Sequence, residues 1–294
     1  MASVQINEDA SEIISYGDPD NRFYIRNWAL SRYPSYHVVS HWHKDLEFIL
    51  IREGSMDYDV NGQIVHLFPG EGIFVNARQL HFGFSDTHTE CTYVCILFDP
   101  ELLCVSRPMW EDLVEPLTRN RGVPFQKLMP ESPWQKKILE DLSLAEKAKR
   151  ERAASLREAS LFLDILLQLV TNIESEKSAG EENMDLVITR RMVGYVQSGL
   201  DQKLSLSGIA KSGAVGTTRC CELFRRYLGE SPVQYLLSAR LSRSLELLRT
   251  TDLPIQEIAA SCGFDSQGYF TKTFRRANGC TPTQYRRAQR KKRT

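Results

Sequence analysis

The chain of 294 residues lacks the features of a secreted or membrane protein. Its seven cysteines form neither an even disulfide framework nor a CxxC pair of the zinc-binding type. The N-terminus is polar and acidic and has no signal-peptide character. The most apolar helical stretch, Leu161 to Val170, contains Asp164 and Gln168 and is too short to span a bilayer. We therefore expect a soluble, cytoplasmic protein without a membrane partner.

A net charge is also lacking, because 37 Lys and Arg residues balance 37 Asp and Glu residues. The balance conceals an uneven distribution. Residues 186–294 hold 19 basic and 7 acidic side chains, a charge of +12, and residues 1–185 carry the compensating −12. A basic module attached to an acidic one is expected when only one end of a protein meets phosphate. The length allows two domains, and the charge predicts that the C-terminal one binds nucleic acid.

Short β-branched and aromatic runs from Phe23 to about Phe98 are typical of an antiparallel sandwich or barrel. Within them, Asn61-Gly62 predicts a tight type I′ hairpin. Helical periodicity begins near Trp134, and six later apolar residues recur at steps of three and four: Leu156, Ala159, Leu163, Leu166, Val170 and Ile173. This seam predicts a helix that packs either on the chain's own first helix or barrel, or on a second copy of the chain.

Two segments of the C-terminal third share seven of twelve positions. Residues 224–235 read FRRYLGESPVQY and residues 274–285 read FRRANGCTPTQY. Each segment ends a helix-turn-helix pattern, the kind of unit that enters a DNA groove. Periodicity and proline positions predict seven helices, at about 186–199, 206–213, 217–228, 232–250, 255–261, 266–277 and 282–292. A transcription regulator is therefore the leading hypothesis.

The second unit resembles the AraC/XylS family of transcription regulators through residues 258–274, followed by Gly279, Pro282 and Tyr285. The resemblance covers roughly residues 186–290 and implies a seven-helix domain whose two recognition helices enter successive major grooves of double-stranded DNA. It also implies base-facing sets, which are Thr217, Thr218, Arg219, Cys221 and Glu222 in the first unit, and Ser266, Gln267, Gly268, Thr271 and Lys272 in the second.

The chemistry of these side chains suits base reading. Gln267 can pair with adenine, and Arg219 or Lys272 can pair with guanine. Just beyond the base-facing sets, four guanidinium groups are expected to hold phosphate: Arg225, Arg226, Arg275 and Arg276.

The first unit departs from the family pattern. Ala214 stands where glycine is usual, Arg219 replaces a common aromatic residue, and Glu222 occupies a position that is often basic. A carboxylate near phosphates lowers general DNA affinity. We therefore expect weaker or different base reading by the first unit.

In the N-terminal half, His41, His43, Glu47 and Gly54 follow the spacing HxHxxxE-x6-G, and His81 lies 34 residues beyond Glu47. Because alternate residues of a strand face the same way, the three histidines and Glu47 can converge as a metal site. The region resembles the cupin superfamily, in which this motif supplies metal ligands. It also resembles the sensory half of the AraC/XylS family, whose pocket takes a small effector, commonly without metal.

The second cupin motif keeps Gly70 and His81 but has Asn76, Arg78 and Ser85 where the metal-binding pattern favours Pro, Gly and Asn. We therefore expect no required cofactor, and we interpret His41, His43, Glu47 and His81 as pocket residues that remain the candidate ligands should a metal bind. Three residues near the barrel entry, Tyr24, Arg26 and Trp28, can contribute stacking and charge-assisted hydrogen bonds to a sugar. Core packing is the alternative for both aromatics.

The expected fold class is α+β, and we divide the chain into four parts. Residues 1–130 form a cupin-like, antiparallel β-barrel that senses an effector, 131–175 a helical pairing region, 176–185 a linker, and 186–294 an all-α, double helix-turn-helix domain. The expected partners are double-stranded DNA, a small-molecule effector such as a carbohydrate, a second copy of the chain, and RNA polymerase.

Two alternatives stay open. A metal-dependent cupin enzyme with a helical appendage would explain the histidines but not the repeat or the basic module. A DNA-binding scaffold without a ligand would use its barrel only to dimerise. We expect a regulator and not an enzyme.

Overall fold

Among the residues that the structure describes, eight antiparallel strands dominate the N-terminal half of the protein. The computed structural model describes residues 11, 12, 14, 16, 23–120, 122–148, 153–173 and 183–291. The described residues divide into two units. Those within 14–30 and 42–182 belong to the sheet unit, and those within 1–13, 31–41 and 183–294 belong to the helical unit. The strands of the sheet unit are β1 (Phe23–Ala29), β2 (Leu46–Gly54), β3 (Met56–Val60), β4 (Gln63–Leu67), β5 (Gly72–Val75), β6 (His81–Phe84), β7 (Cys91–Phe98) and β8 (Phe125–Leu128).

The strands form two separate sheets. The larger has the order β1-β7-β2-β5-β8 and the smaller the order β4-β3-β6. The expected antiparallel architecture is confirmed, but the described strands do not close into a barrel, because no ladder joins the two sheets. The sequence did not predict this arrangement, because strand pairing depends on contacts between residues distant in sequence, such as those of β5 with β8. The alternation of residues within one strand does not encode such contacts.

The hairpin between β3 and β4 has the predicted type I′ turn. Asn61 and Gly62 have φ angles of 54° and 81°, and Val60 pairs with Gln63 across the two-residue loop. The Asp59 carboxylate accepts the Gly62 N–H at 2.8 Å. Positive φ at both central residues is the condition for this turn, and Asn-Gly meets it at low cost.

One face of the larger sheet carries the hydrophobic core of the sheet unit. The Phe98 ring stacks on Phe48 at 5.7 Å on one side and on Phe162 of α3 at 4.6 Å on the other. The helices of this unit are α1 (Glu115–Thr118), which follows a π-helical turn, α2 (Pro133–Ala148) and α3 (Ala154–Asn172). Both longer helices contribute apolar residues to this core, so the region predicted for pairing packs on the sheet.

The predicted seam of α3 lies along the edge of that core. Leu166 and Ile173 are buried in it, and Ala159, Leu163 and Val170 pack against it partly exposed. Packing on the chain's own elements, one of the two alternatives, is therefore confirmed for these five. Leu156 is different, since it is 75% exposed.

Seven helices form the C-terminal part, close to the predicted bounds: α4 (Met184–Ser198), α5 (Leu206–Ser212), α6 (Thr217–Leu228), α7 (Pro232–Thr250), α8 (Ile255–Ser261), α9 (Gln267–Asn278) and α10 (Pro282–Lys291). Of the predicted linker, residues 176–182 lie outside the described residues. Its last three residues belong to the start of α4, where Asn183 caps the helix. Across the described residues, no helix combines the length and apolar character needed to cross a bilayer.

The repeated twelve-residue segment is a helix end followed by a helix start. Gly229 and Gly279 both end a helix with φ of 69°, in the left-handed region that glycine tolerates. Ser231 and Thr281 then cap the next helix, and the Gln234 and Gln284 side chains accept the N–H of the capping residue.

The remaining shared residues complete the segment. Proline occupies the first position of α7 and of α10. The shared Phe and Tyr meet edge to face, Phe224 with Tyr235 at 5.7 Å and Phe274 with Tyr285 at 5.8 Å. The repeat thus encodes the same corner twice, and its two adjacent arginines are exposed in both copies.

A hydrogen-bonded joint connects α7 to the segment between α4 and α5. From α7, Arg240 donates through Nε to the Leu200 carbonyl at 3.0 Å and through Nη2 to the Gln202 carbonyl at 2.6 Å. Gly263, in the turn before α9, lies against the Leu200 carbonyl and the Arg240 guanidinium. A β-carbon there would sit 2.1 Å from the Leu200 carbonyl oxygen.

Candidate DNA-reading surface and effector pocket

The two recognition helices expose the side chains that the sequence predicts to face DNA. Each helix buries one face: Leu223 and Phe224 on α6, and Phe270 and Phe274 on α9, are fully buried. On α6 the opposite face exposes Thr217, Thr218, Arg219, Glu222, Arg225 and Arg226, with Cys221 half-buried. On α9 and its cap it exposes Ser266, Gln267, Gly268, Lys272, Arg275 and Arg276, with Thr271 half-buried.

The turns that lead into these helices are related but unequal. Val215 and Phe264 donate their N–H to the carbonyls of Ala210 and Ala259, so the two turns have the same hydrogen bond. The second turn then has one more residue, Asp265, before its helix, as the sequence predicts.

A groove of about 660 Å³ runs along α9. It is lined by Gln267, Gly268, Thr271, Lys272, Arg275 and Thr281. Five of these belong to the predicted DNA-facing set. The sixth, Thr281, was missed because it lies at the start of α10, and only the fold brings it beside α9. The groove therefore presents amide, hydroxyl and cationic groups together, the chemistry that reads base edges and phosphate.

Ser266 also has a structural role that was not predicted from the sequence. Its hydroxyl accepts the Tyr269 N–H at 3.2 Å and caps α9. The hydroxyl can still donate its proton outward, because Ser266 is exposed. Tyr269 itself is 53% exposed on the same helix and was not among the predicted residues.

Three charged side chains on α6, those of Arg219, Glu222 and Arg226, are paired within the protein. Asp185, in the first turn of α4, accepts from Arg219 Nη2 at 2.7 and 2.8 Å. Arg219 Nη1 donates to Glu222 at 3.1 Å, and Arg226 lies 3.7 Å from Asp185. Hydrogen bonding to Asp185 raises the pKa of Arg219. Sequence reasoning missed Asp185 because it falls in the polar stretch interpreted as linker, 34 residues from Arg219.

Helix α9 has no such pairing. Among the residues that the structure describes, Lys272, Arg275 and Arg276 make no ion pair. Helix α6 therefore has less unpaired cationic charge on its exposed face than α9. The sequence predicts this difference from Glu222, and the structure adds Asp185 as a second acid.

In the sheet unit, a polar cluster centres on Glu47. The Glu47 carboxylate accepts from the Tyr58 hydroxyl, and its Oε2 lies 2.9 Å from His43 Nε2 and 3.0 Å from His81 Nε2. All four side chains are buried. Glu47 is on β2 of the larger sheet, whereas Tyr58 and His81 are on β3 and β6 of the smaller one. The cluster thus joins the inner faces of the two sheets.

Burial alone would raise the pKa of Glu47 and is the largest influence on it. The neighbouring His81 and His43 outweigh burial, through charge and hydrogen bonds, and hold the pKa of Glu47 well below its usual value. Burial and the Glu47 charge together raise the pKa of Tyr58 well above its usual value. Glu47 is therefore ionised and Tyr58 is a neutral donor at physiological pH.

The predicted effector residues of β1 share the face on which Glu47 lies. Tyr24 is opposite Leu97 of β7, which is itself opposite Glu47. Directly opposed residues of neighbouring strands point to the same side of a sheet. Arg26 and Trp28 follow at alternate positions, and all three are half-buried. Trp28 Nε1 donates to the Tyr24 hydroxyl at 3.1 Å, and the Arg26 guanidinium lies over the Tyr24 ring at 5.3 Å.

The four predicted metal candidates place their possible ligand atoms close together. The ligand atoms of His41, His43, Glu47 and His81 all lie within 4.8 Å of one another. Each histidine has its Nδ1 beside a main-chain carbonyl, of Val39, Asp45 and Gln79 respectively, at 2.8 to 3.1 Å. A carbonyl only accepts, so each Nδ1 carries a proton, and Nε2 is the nitrogen that could bind a metal. In His43 and His81 this Nε2 donates a hydrogen bond to the Glu47 carboxylate, so a metal would have to replace both hydrogen bonds.

Two known protein families match parts of this chain. The profile of the AraC-like ligand binding domain matches residues 29–105, and that of a helix-turn-helix domain matches residues 209–288. The chain is 25% identical over 254 residues to the uncharacterized HTH-type transcriptional regulator YdeC of Bacillus subtilis, covering 85% of this chain and 87% of that protein. It is 26% identical over 270 residues to the melibiose operon regulatory protein of Escherichia coli, covering 89% and 88%.

Among solved structures, the C-terminal domain of AraT, a response regulator from Geobacillus stearothermophilus, is 37% identical. The match covers 34% of this chain and 84% of that one, with a TM-score of 0.34.

Proposed function

Because the chain belongs to the AraC/XylS family of transcription regulators, we propose that α6 and α9 read operator DNA in two major grooves, about 34 Å or one helical turn apart. The observation that carries this proposal is the polar groove of α9, which has Gln267, Lys272 and Arg275 along one exposed face. The buried aromatic face beneath it holds the helix in place.

The test is a mobility shift with full-length protein and the DNA that flanks its own gene, repeated at several salt concentrations. Lys272→Ala should relax base preference in the segment read by α9. Arg275→Ala should weaken binding to all sequences, because each lost phosphate contact reduces the salt slope by about 0.9 and the affinity at 0.1 M salt about 8-fold.

Arg107→Ala is the matched control, since Arg107 is an exposed arginine of the sheet unit that pairs with Glu111. It removes the same charge and should leave the salt slope unchanged. If Lys272→Ala and Arg275→Ala both bind every sequence as the wild type does, α9 is not the reader.

For the effector we propose a small sugar bound beside the Glu47 cluster. Tyr24 and Trp28 provide half-buried aromatic faces, and Arg26 and Glu47 provide charged hydrogen-bonding groups on the same side of the sheet. The name of the melibiose operon relative supports the sugar class. A thermal-shift panel of sugars should show a saturable stabilisation that Trp28→Ala reduces. If no sugar shifts the melting temperature, the ligand-free scaffold is favoured.

The closeness of four donor side chains supports a second candidate occupant, a divalent transition metal held by His41, His43, Glu47 and His81. A metal would supply a Lewis-acidic centre to which an effector oxygen could bind. Metal analysis of the purified full-length protein tests this: a stoichiometric metal should be lost in His43→Ala and kept in His66→Ala, whose exposed histidine lies outside the cluster. Without a stoichiometric metal in the wild type, the expectation that no cofactor is required stands.

The relatives are named as regulators, which favours regulation over the alternative of a metal-dependent enzyme.

We further propose that the protein acts in the cytoplasm as a homodimer and contacts RNA polymerase. Exposed Leu156 and Leu167, seven and four residues from Leu163 on α3, support the dimer, because they leave an apolar strip uncovered.

A further inference from the structure

The pairing of Asp185 with α6 has a consequence for DNA recognition. Asp185 is held in position by its own helix, since its N–H donates to the Asn183 side chain and its carbonyl accepts from Thr189 Oγ1 at 2.7 Å. A carboxylate in the first turn also complements the helix dipole. Asp185 is therefore a fixed anion beside the recognition helix, with a side chain only 25% exposed.

The anion meets two cations of the predicted DNA-reading face. Arg219 and Arg226 are seven residues apart, two turns of α6, so both point to the side from which Asp185 approaches. Arg219 Nη2 contacts both Asp185 oxygens and Nη1 contacts Glu222, so both terminal nitrogens are engaged by carboxylates. A bidentate contact with guanine, or a contact with phosphate, needs these nitrogens.

The second recognition helix shows what α6 would offer without these acids. Aligned on the shared Phe-Arg-Arg, Glu222 corresponds to Lys272, and Arg226 to Arg276. Across the described residues, the cations of α9 carry no paired acid, whereas Arg219 and Arg226 share Asp185.

We propose that Asp185 is a specificity-determining residue that withholds Arg219 and Arg226 from DNA. Arg225 then remains on α6 for phosphate, the uncharged side chains of α6 do most of its base reading, and α9 supplies most of the phosphate contacts. This rests on the proposed DNA-binding function. The first helix-turn-helix unit then adds sequence preference and adds little non-specific affinity for DNA.

The test uses full-length protein, the DNA flanking its own gene, and fluorescence anisotropy between 0.05 and 0.3 M salt. Asp185→Asn keeps the shape of the side chain and removes its charge. Release of one or two arginines to phosphate should steepen the salt slope by about 1 to 2 and raise the affinity at 0.1 M salt at least 5-fold. Asp201→Asn, the same charge change at an exposed acid of the helical unit, should leave the slope as in the wild type.

Arg219→Gln provides an independent measurement in case Asp185→Asn fails to fold. In the otherwise wild-type chain it should weaken DNA binding less than 2-fold, because Arg219 is already engaged. In the Asp185→Asn background it should cost at least 5-fold.

If Asp185→Asn folds and binds DNA no more tightly than the wild type, or if Arg219→Gln alone costs 5-fold or more, the inference is overturned and Asp185 instead orients Arg219 toward DNA. If the wild type binds no DNA even at 0.05 M salt, the proposed function fails and the inference with it.

Discussion

Substitution of Gly263 by alanine tests the joint that connects the two helix-turn-helix units. Gly263 has φ of +72°, and a β-carbon at this position would lie 2.1 Å from the Leu200 carbonyl oxygen and 2.6 Å from Arg240 Nη2. The first contact is with backbone, so it cannot be relieved by a side-chain rotation. Either the turn before α9 or the segment after α4 must move.

The expected cost has two parts. A left-handed conformation costs a non-glycine residue about 1 to 2 kcal/mol, and overpacking costs about 1 to 3 kcal/mol. Alanine also restricts the unfolded chain, which returns about 0.5 to 1 kcal/mol. Gly263→Ala should therefore lower the free energy of unfolding of the helical unit by about 1 to 4.5 kcal/mol.

The first unit supplies the matched control. Ala214 is the equivalent turn residue and has φ of +56°, but it is exposed. Ala214→Gly relieves the backbone strain and loosens the unfolded chain by similar amounts, so the net change should stay within about 1 kcal/mol. Urea denaturation followed by circular dichroism at 222 nm measures both. A cost below about 1 kcal/mol for Gly263→Ala would refute the contact with Leu200.

Two further predictions concern pH and assembly. Burial raises the pKa of Glu230 to about 7, so its proton is held more tightly in the folded than in the unfolded chain, and stability should fall as pH rises from about 4.5 to 7. Glu230→Gln should remove about 1 to 3 kcal/mol of that pH dependence, measured by urea titrations at pH 5 and 8; equal slopes with pH in both proteins would contradict it. Leu156→Glu with Leu167→Glu should shift a dimer to monomer in sedimentation without lowering the melting temperature, whereas Leu102→Glu, an exposed leucine outside α3, should not; an unchanged dimer would place the interface elsewhere.

The elements that depend on neighbouring residues could be predicted from the sequence. The type I′ turn follows from Asn61-Gly62, and the helix ends of the repeat follow from its glycine, its capping Ser or Thr, and its proline. Each of these acts within a few residues, where backbone preference decides the conformation. For the same reason all seven predicted helices of the helical unit have bounds within two residues of those observed.

What could not be predicted depends on contacts between distant parts of the chain. Strand β8 was missed because Phe125–Leu128 is short and becomes a strand only by pairing with β5. The two sheets replace the expected closed barrel for the same reason. The pairing of Asp185 with Arg219 could not be predicted, because no sequence pattern indicates which helix an acidic residue in a polar stretch will contact.

The bonds from Arg240 to the carbonyls of Leu200 and Gln202 bear on the layout of the target DNA. They connect α7 to the segment between α4 and α5, and so limit how far one recognition helix can rotate relative to the other. One base pair inserted between the two contacted segments would turn the second groove by about 34° around the duplex axis. If α6 and α9 read DNA as proposed, we expect the helices not to follow that rotation, so that the spacing of the segments is itself part of what the protein recognises.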